Sequence, residues 1–213
     1  MKMKTIIILL LFLVSLHANF NASISKITPT IKAKMLKGKS YRKGCPVKLK
    51  DLRYLRVTHK GFNYKNKKGE LIVHKSVAKS MVNIFRELYA INYPIHKMKL
   101  VSNYHGKDWV SIEADNTSAF NCRNVGGTNR WSRHSYGKAI DINPIENPYV
   151  SRSGYISHKA SLKYKKRRHH LNSLADRAVI LRTDRAFQIF KKYGWQWGGN
   201  FKGEKDYQHF FKR

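Results

Sequence analysis

The chain has 213 residues, enough for one domain with a substantial core or for two small ones. Hydrophobic residues make up 42% and aromatic residues 12%, which excludes a disordered chain, and five prolines with 13 glycines exclude a collagen-like or low-complexity one. Charge is the unusual property, because 43 lysines and arginines against 12 aspartates and glutamates give a net charge of +31. Acidic residues are therefore scarce, and each one calls for a structural or chemical explanation.

The first 18 residues have the three parts of a secretory signal peptide. Lys2 and Lys4 form a basic start, an apolar run extends from Ile6 to Val14, and Ala18 closes a cleavage site. The apolar run is shorter than the roughly 20 residues of a transmembrane helix, although an uncleaved membrane anchor is the alternative. The sequence therefore predicts export to the periplasm, the cell envelope or the extracellular space, with no transmembrane span in the mature chain.

Residues 19–43 are polar and rich in lysine, and their few periodic apolar positions predict a basic lead-in that runs along the surface. The globular domain is expected over residues 44–213. An alternating pattern from Leu52 to His59 predicts a strand, with a partner strand from Glu70 to Val73. The polar and glycine residues from Lys65 to Gly69 predict the hairpin turn between them.

Two helices are predicted by apolar residues that recur every three or four positions. The first extends from Ser76 to Tyr89, and Thr183 is the predicted N-terminal cap of the second, which ends at Gly194. A further strand is predicted around Met98 to Val101. Because strand and helix patterns alternate irregularly, we expect a single α+β domain with a mostly antiparallel sheet and flanking helices. The inward positions of the second helix are Ala186, Phe187, Ile189 and Phe190.

Cys45 and Cys122 are the two cysteines of the chain. An exported protein folds where thiols oxidise, so a disulfide between them is the leading prediction. Two buried free thiols are the alternative, and metal ligation by Cys122 is a third interpretation.

The densest basic run extends from Lys163 to His170. It predicts either contact with an anionic partner, such as nucleic acid, lipopolysaccharide or an acidic wall polymer, or a solvated loop in a chain that is basic throughout. Adjacent histidines point apart on a strand or a helix, so we do not expect His169 and His170 to chelate one ion.

His134, Asp141 and His209 offer the donor types that zinc prefers. Two histidines and one carboxylate leave a fourth position open for water, which is typical of a catalytic zinc site, and bound zinc lowers the pKa of that water to about 7. Asp206 lies three residues before His209, within reach of such a water as a general base. Arg123 could stabilise an oxyanion or hold a substrate carboxylate.

Each of these residues, taken alone, has a structural alternative: a hydrogen-bonded histidine, or an aspartate paired with one of the many lysines. The combination is more specific. The pattern Ser-x-His-x-x-Gly-x-Ala-x-Asp extends from Ser132 to Asp141, and five fixed residue types rarely recur by chance in a chain of 213 residues.

The same pattern is accompanied by Trp-x-Trp-Gly-Gly from Trp195 to Gly199 and by Asp-x-x-His-Phe from Asp206 to Phe210. Together these motifs resemble the zinc D-alanyl-D-alanine carboxypeptidases and L-alanyl-D-glutamate endopeptidases, which cut the stem peptides of peptidoglycan. The resemblance covers most of residues 44–211. It implies a fold built around a zinc site with the ligands His134, Asp141 and His209.

The resemblance also implies roles for the other candidate residues. Asp206 takes the place of the catalytic base and Arg123 that of a substrate-binding arginine, while Ser132 and Trp197 either shape the site or are buried structural residues. The base is glutamate in several branches of the family, so the shorter Asp206 must lie closer to the water. Tyr149 to Asp176 looks like a lysine-rich variable loop in which specificity could reside.

The predicted activity is hydrolysis of an amide bond in a stem peptide, either at the D-alanyl-D-alanine end or between L-alanine and D-glutamate. The positive charge would hold the enzyme near anionic polymers of the cell envelope. A non-catalytic envelope-binding module on the same fold, as in Hedgehog signalling domains, is the alternative, although the presence of Asp206 favours an enzyme. A secreted nuclease would need a carboxylate-rich ligand set for magnesium, so nucleic acid is not an expected partner.

Overall fold

The structure, a computed structural model, describes residues 20–169 and 173–213. The predicted signal peptide, residues 1–18, and His170 lie outside the described residues. None of the helices in these two ranges is both long and apolar enough to cross a bilayer. The α-helices are α1 (Pro29–Lys37), α2 (Ala78–Ala90), α3 (Asp108–Glu113) and α4 (Arg185–Lys192). The strands are β1 (Ala22–Lys26), β2 (Leu52–Lys60), β3 (Asn66–His74), β4 (Lys97–Met98), β5 (Asn116–Thr117), β6 (Ala139–Asp141), β7 (Tyr149–Val150), β8 (Gln196–Trp197), β9 (Lys205–Asp206) and β10 (His209–Phe211).

The first sheet has the strand order β1-β2-β3, and its neighbours are antiparallel. The predicted hairpin is confirmed, but its strands are longer and its turn comes earlier, because β2 ends at Lys60 and the turn is formed by residues 61–65. Gly69 lies within β3 rather than in the turn. An added Cβ at Gly69 would lie 2.5 Å from the sulfur atom of Met98, so the glycine lets β4 pack closely against the sheet.

Within the predicted basic lead-in, the structure forms two regular elements, β1 and α1. All the side chains of β1 are exposed, and the strand is held by backbone pairing with β2. Such pairing leaves no apolar periodicity in the sequence, which explains why the strand was not predicted. α1 begins after Thr28, whose hydroxyl accepts a hydrogen bond from the Ile31 amide, and it buries Met35 in the core.

α2 confirms the helix predicted from Ser76 to Tyr89 and packs against β2. Burial of each large apolar side chain on its inner face contributes about 1.5–3 kcal/mol. α4 buries the predicted inward residues, but it begins after Asp184 and is not capped by Thr183. The Asp184 carboxylate instead accepts a hydrogen bond from the Leu181 amide at 2.6 Å. The buried residues of α2 are Ala78, Met81, Val82, Ile84, Phe85, Leu88 and Tyr89.

The second sheet has the order β6-β10-β8 and is also antiparallel. At its centre Phe210 pairs with Ile140 on one side and with Trp197 on the other. β7 and β9 form a separate antiparallel pair, while β4 and β5 are the one parallel pair among the described strands. The predicted α+β fold with mostly antiparallel sheets is therefore confirmed. The strand predicted at Met98 to Val101 is shorter than expected, since β4 ends at Met98.

The predicted disulfide is confirmed. Cys45 and Cys122 are bonded, with Cα atoms 5.9 Å apart and a separation of 77 positions in sequence. The bond ties the segment before β2 to the segment that carries Arg123. In the chain-entropy model, closure of a loop of this size contributes roughly 4 kcal/mol to stability.

Part of the basic run from Lys163 to His170 is anchored rather than solvated. The Arg167 guanidinium donates hydrogen bonds to the carbonyl oxygens of Glu146 and Ile180, at 2.6 and 3.0 Å, and to the Asn147 side chain at 2.8 Å. This arginine therefore links three segments of the fold, and its guanidinium is not available to a partner. The exposed lysines of the run are Lys163, Lys165 and Lys166.

Candidate metal centre and active-site cleft

Two of the candidate ligands stand opposite each other in the second sheet. His209 of β10 pairs with Asp141 of β6, and this antiparallel register places both side chains on one face of the sheet. The Nδ1 atom of His209 lies 3.0 Å from Oδ1 of Asp141. The sheet thereby joins two residues that are 68 positions apart in sequence.

His134 comes from a 3-10 turn, Arg133–Tyr136, and the neighbouring motif residues explain its position. Ser132 caps the turn, since its Oγ accepts a hydrogen bond from the His134 amide at 3.3 Å. Gly137 ends the turn in the left-handed conformation, with a φ of 66°, and an added Cβ would lie 2.6 Å from the His74 amide nitrogen. The serine and the glycine of the motif therefore hold the histidine in place.

The three side chains converge in the interior. Nε2 of His134 lies 3.2 Å from Oδ2 of Asp141 and 3.1 Å from Nδ1 of His209. One donor atom from each residue lies within 4.8 Å of the other two, and all three residues are buried. The metal cluster, as we call it below, consists of His134, Asp141 and His209.

The hydrogen bonding of His134 leaves its Nε2 atom available to a cation. Its Nδ1 atom lies 2.5 Å from the carbonyl oxygen of Ala119, which can only accept, so Nδ1 carries a proton. The lone pair of Nε2 then faces the Asp141 carboxylate. These two acceptors repel each other unless a proton or a metal ion lies between them. Burial lowers the pKa of His134, but the charge and hydrogen bond of Asp141 outweigh it and raise the pKa. Imidazole nitrogens that converge on a carboxylate fit a divalent metal ion.

Asp206 lies in the same cleft as the metal cluster. Its Oδ1 atom is buried and has no hydrogen-bond partner in the described part of the chain. Burial raises the pKa of Asp206 to about 6, opposed by the charge of His209 and reinforced by that of Asp141. A carboxyl group with this pKa and a free oxygen is suited to accept a proton near neutral pH.

The Trp-x-Trp-Gly-Gly motif contacts the backbone of Asp206 and of the following residue. A Cβ added at Gly198 would lie 2.5 Å from the Asp206 carbonyl oxygen, so the glycine permits this close approach. Trp197 donates a hydrogen bond from Nε1 to the Tyr207 carbonyl at 2.8 Å and is 5% exposed. It does not line the cleft within the described residues. The burial of Trp197 fits the alternative given for it, a buried structural residue.

Arg123 is held on the wall of the cleft. Its Nη2 atom pairs with the Asp108 carboxylate of α3 at 2.8 Å, and its Nη1 donates to the Asn124 carbonyl at 3.2 Å. The Arg123 amide donates to Ser135 Oγ at 3.0 Å. Its Nε is buried and, among the residues described, has no partner. The guanidinium therefore has a fixed position, and its Nε–H has no acceptor among the described residues.

Comparison with known protein families identifies part of the chain. A family model described as D-alanyl-D-alanine carboxypeptidase matches residues 126–212. Residues 126–212 are therefore similar to this peptidase family. The matched segment contains Ser132, the metal cluster and Asp206, whereas Arg123 precedes it. Comparisons with curated proteins and with solved structures found no significant match.

The cleft around the metal cluster has a volume of about 740 Å³. It brings together the side chains predicted for the site, with the exception of Trp197. These are Arg123, Ser132, His134, Asp141, Asp206 and His209.

Sequence reasoning missed several residues that line the cleft. Trp109 stacks on His158 with ring centroids 3.9 Å apart and is 51% exposed. Tyr149 of β7 stands directly opposite Asp206 of β9. These residues belong to no motif, so a single sequence offers no signal for them. Tyr149 and His158 do fall within residues 149–176, the expected variable loop, part of which forms a wall of the cleft.

Proposed function

We propose that the protein is an exported zinc peptidase that hydrolyses an amide bond in the stem peptides of peptidoglycan. The observation that carries the proposal is the position of Asp206 beside the metal cluster, with an unpartnered buried oxygen and a pKa raised to about 6. The family match over residues 126–212 supports the substrate class. The N-terminal pattern of residues 1–18 and the disulfide support export.

Zinc would be held by Nε2 of His134, the carboxylate of Asp141 and Nδ1 of His209. This donor set suits zinc better than magnesium or calcium, which take oxygen ligands. When bound, zinc supplies a Lewis acid that polarises a carbonyl group and makes a water molecule more acidic. The hydrogen bond from His134 to the Ala119 carbonyl fixes the orientation of the ring and the tautomer that leaves Nε2 free.

The side chains around the metal cluster supply the proton transfers. In its ionised form Asp206 takes a proton from the attacking water. As a carboxylic acid it returns this proton to the leaving amine, so that an N–H bond forms as the C–N bond breaks. The guanidinium of Arg123, which lines the cleft, donates to the oxygen of the scissile carbonyl or to a carboxylate of the stem peptide. Asp108 keeps the guanidinium in place.

Removal of a terminal D-alanine is the first candidate for the bond specificity, because the matching family model is described by that activity. Cleavage between L-alanine and D-glutamate is the second candidate. It is favoured by the size of the cleft, about 740 Å³, and by the exposed rings of Trp109 and Tyr149 at its walls. These features give a longer peptide room to extend past the metal cluster.

Digestion of purified muropeptides by the zinc-loaded mature protein, followed by mass spectrometry, tests the proposal. Loss of a terminal alanine identifies the carboxypeptidase, and release of the stem at L-alanine identifies the endopeptidase. We expect the Asp206→Asn variant and a chelated sample to leave the muropeptides intact. Glu87→Gln is the matched control, since Glu87 pairs with Lys192 outside the cleft, and this variant should cut normally.

If muropeptides remain uncut after incubation with folded, zinc-loaded protein, the proposal that the protein is a peptidase would be contradicted. That result would favour a non-catalytic envelope-binding module on the same fold.

A further inference from the structure

A second concavity, the basic groove, lies next to the active-site cleft, and Arg133 lines both. The groove has a volume of about 680 Å³. Its cationic side chains come from three separate parts of the chain, so the fold assembles them and no local run of sequence predicts them. They are Lys48, Lys50, Arg133, Lys138, Lys212 and Arg213.

Protein carboxylates do not neutralise the basic groove. Asp51 is the one acidic side chain among the described residues that line it, and Lys75 already pairs with Asp51 at 2.7 Å. Across residues 20–169 and 173–213, none of the six cations has a carboxylate within ion-pair distance. Burial and then the charge of Arg213 lower the pKa of Arg133, as expected where like charges face each other.

Two of the cations in the basic groove, Arg133 and Lys212, are held in fixed positions. The Arg133 guanidinium lies 4.0 Å from the centroid of the Phe211 ring, which supports it on β10. The Lys212 amide donates to the Lys138 carbonyl at 2.9 Å, and its ammonium donates to the Tyr193 carbonyl at 2.9 Å. The segment that follows the disulfide forms part of the lining. Because Arg133 and Lys212 are already in place, they lose little conformational freedom when they bind an anion.

We propose that the basic groove binds a phosphate-bearing glycopolymer of the cell envelope. Several unneutralised cations in one space favour a ligand that repeats its negative charge. Phosphate presents strong acceptor oxygens to ammonium and guanidinium donors. Tyr136, which is 43% exposed, and Pro46 add apolar surface against which a sugar or polyol backbone packs. The inference relies on the export proposed above but not on hydrolysis.

The position of Arg133 places the basic groove next to the active-site cleft. Because this residue lines both concavities, a polymer bound in the groove lies beside the entrance of the active-site cleft. The groove would therefore hold the protein where phosphate polymers and stem peptides are neighbours. Nucleic acid is a poorer occupant, since Tyr136 is the one Phe, Tyr or Trp ring of the described lining and successive bases need several stacking partners.

The affinity for soluble poly(glycerol phosphate), measured by isothermal titration calorimetry at physiological ionic strength, tests the proposal. The groove variant combines Lys48→Gln, Lys50→Gln and Lys138→Gln. We expect it to bind at least about tenfold more weakly than the wild-type protein, because it loses three charges that contact the polymer.

The charge-matched control combines Lys163→Gln, Lys165→Gln and Lys166→Gln, three exposed lysines of the basic run outside the groove. It removes the same net charge, and we expect it to weaken binding by less than about twofold. Thermal melting establishes that both variants are folded before their affinities are compared.

Equal weakening by the two variants, or by neither, would overturn the proposal, because the attraction would then be diffuse. A second titration uses vesicles that carry lipopolysaccharide, whose phosphates are attached to lipid-linked sugars. If the groove variant alone loses affinity in one of the two titrations, the result supports binding in the basic groove. The ligand of that titration then identifies the source of the phosphate. Tighter binding of an oligothymidylate of equal charge would overturn the assignment to a glycopolymer. These titrations require no peptide cleavage, so their outcome is separate from the test of the peptidase.

Discussion

Asp141 and Asp206 are two carboxyl groups of one cleft whose pKa values move in opposite directions. Burial alone would raise the pKa of Asp141, but the charges and hydrogen bonds of His134 and His209 hold it well below its usual range. Burial dominates at Asp206 and raises its pKa to about 6. The surroundings thus separate a permanent anion, which is suited to a metal ligand, from a carboxyl group that can exchange a proton.

Replacement of Asp206 by asparagine should remove proton transfer and leave the metal cluster intact. We expect kcat/KM for muropeptide cleavage to fall by about 10²–10⁴-fold, the usual contribution of a general base, with the zinc content unchanged. Asp206→Glu, which keeps a carboxyl group, should recover part of the activity. Steady-state kinetics and metal analysis check this, and a rate close to that of the wild-type protein would exclude Asp206 as the base.

The pH profile of the reaction should report the same group. A general base must be ionised, so kcat/KM should rise with pH and level off above the pKa of Asp206, about 6. A metal ion at the neighbouring cluster favours the ionised form and moves this limb to lower pH. Kinetics across the acidic range check this, and Asp206→Glu should shift the limb. If the acidic limb of the kcat/KM profile stays at the same pH in that variant, the limb reports the titration of another group.

Glu146 should affect stability without taking part in the chemistry. It is 4% exposed, and burial, followed by the neighbouring Asp115, raises its pKa from 4.5 to about 9. It is therefore protonated in the folded protein at neutral pH but ionised in the unfolded chain. Its contribution to stability is full below pH 4.5 and is lost as the pH rises towards 9.

Glu146→Gln removes this titration and keeps the shape and the donor of the protonated acid. We expect it to raise the free energy of unfolding by roughly 2–4 kcal/mol at about pH 8 and to change it little near the ordinary pKa of glutamate. Urea unfolding at both pH values measures the difference. A change of the same size at the two pH values would mean that Glu146 is not protonated in the folded state.

At the scale of elements, periodicity predicted those that bury one face and failed for those that do not. α2 and the hairpin of β2 and β3 carry apolar stripes, and both are confirmed. β1 exposes all its side chains, so no pattern distinguished it from a polar lead-in. β6, β8 and β10, which hold the site, are two or three residues long, too short for a period to register.

The site itself was predicted by motif spacing and not by its elements. The pattern from Ser132 to Asp141 encodes a capped turn that leads into a strand, which is a local feature that a sequence can show. The ion pair between Arg123 and Asp108 and the rings of Trp109 and Tyr149 join segments that share no pattern. Such contacts depend on how the elements pack, and a single sequence does not reveal them.

Gly137→Ala should destabilise the turn that holds His134. The residue has a φ of 66°, and its added Cβ would lie 2.6 Å from the His74 backbone nitrogen. We expect a loss of about 1–3 kcal/mol in stability, together with weaker zinc binding. Gly126→Ala is the matched control, because its Cβ would meet no atom within 4 Å. Thermal unfolding and zinc titration check both variants, and equal effects of the two would contradict a special role for Gly137.

Across the whole molecule, the 12 acidic residues occupy specific positions. Several form ion pairs between distant segments, such as Glu87 with Lys192 and Asp108 with Arg123. Others are buried with shifted pKa values, as in the cleft. Because only 12 carboxylates face the 43 lysines and arginines, a net charge of +31 remains uncompensated, which supports attraction to a polyanionic envelope. The basic groove concentrates part of this excess beside the active site.

Metal binding should stabilise the whole fold, because the metal cluster joins a turn and two strands from distant parts of the chain. A ligand that binds only the folded state adds about 4 kcal/mol when its free concentration is a thousandfold above Kd. We therefore expect a chelator to lower the melting temperature and added zinc to restore it. The shift should fade as the pH falls, since protonated histidines do not bind metal. Differential scanning calorimetry with defined free zinc measures both effects.

Two histidine variants separate the metal cluster from other zinc-binding groups. His209→Ala removes a ligand, so the zinc-dependent shift in melting temperature should disappear. His158→Ala removes a ring that stacks on Trp109 in the same cleft but outside the cluster, and the shift should persist. A full shift in His209→Ala would mean that zinc binds elsewhere on the protein. Asp206 would then have no activated water beside it, and the cleft would be better explained as a surface that binds stem peptides without cutting them.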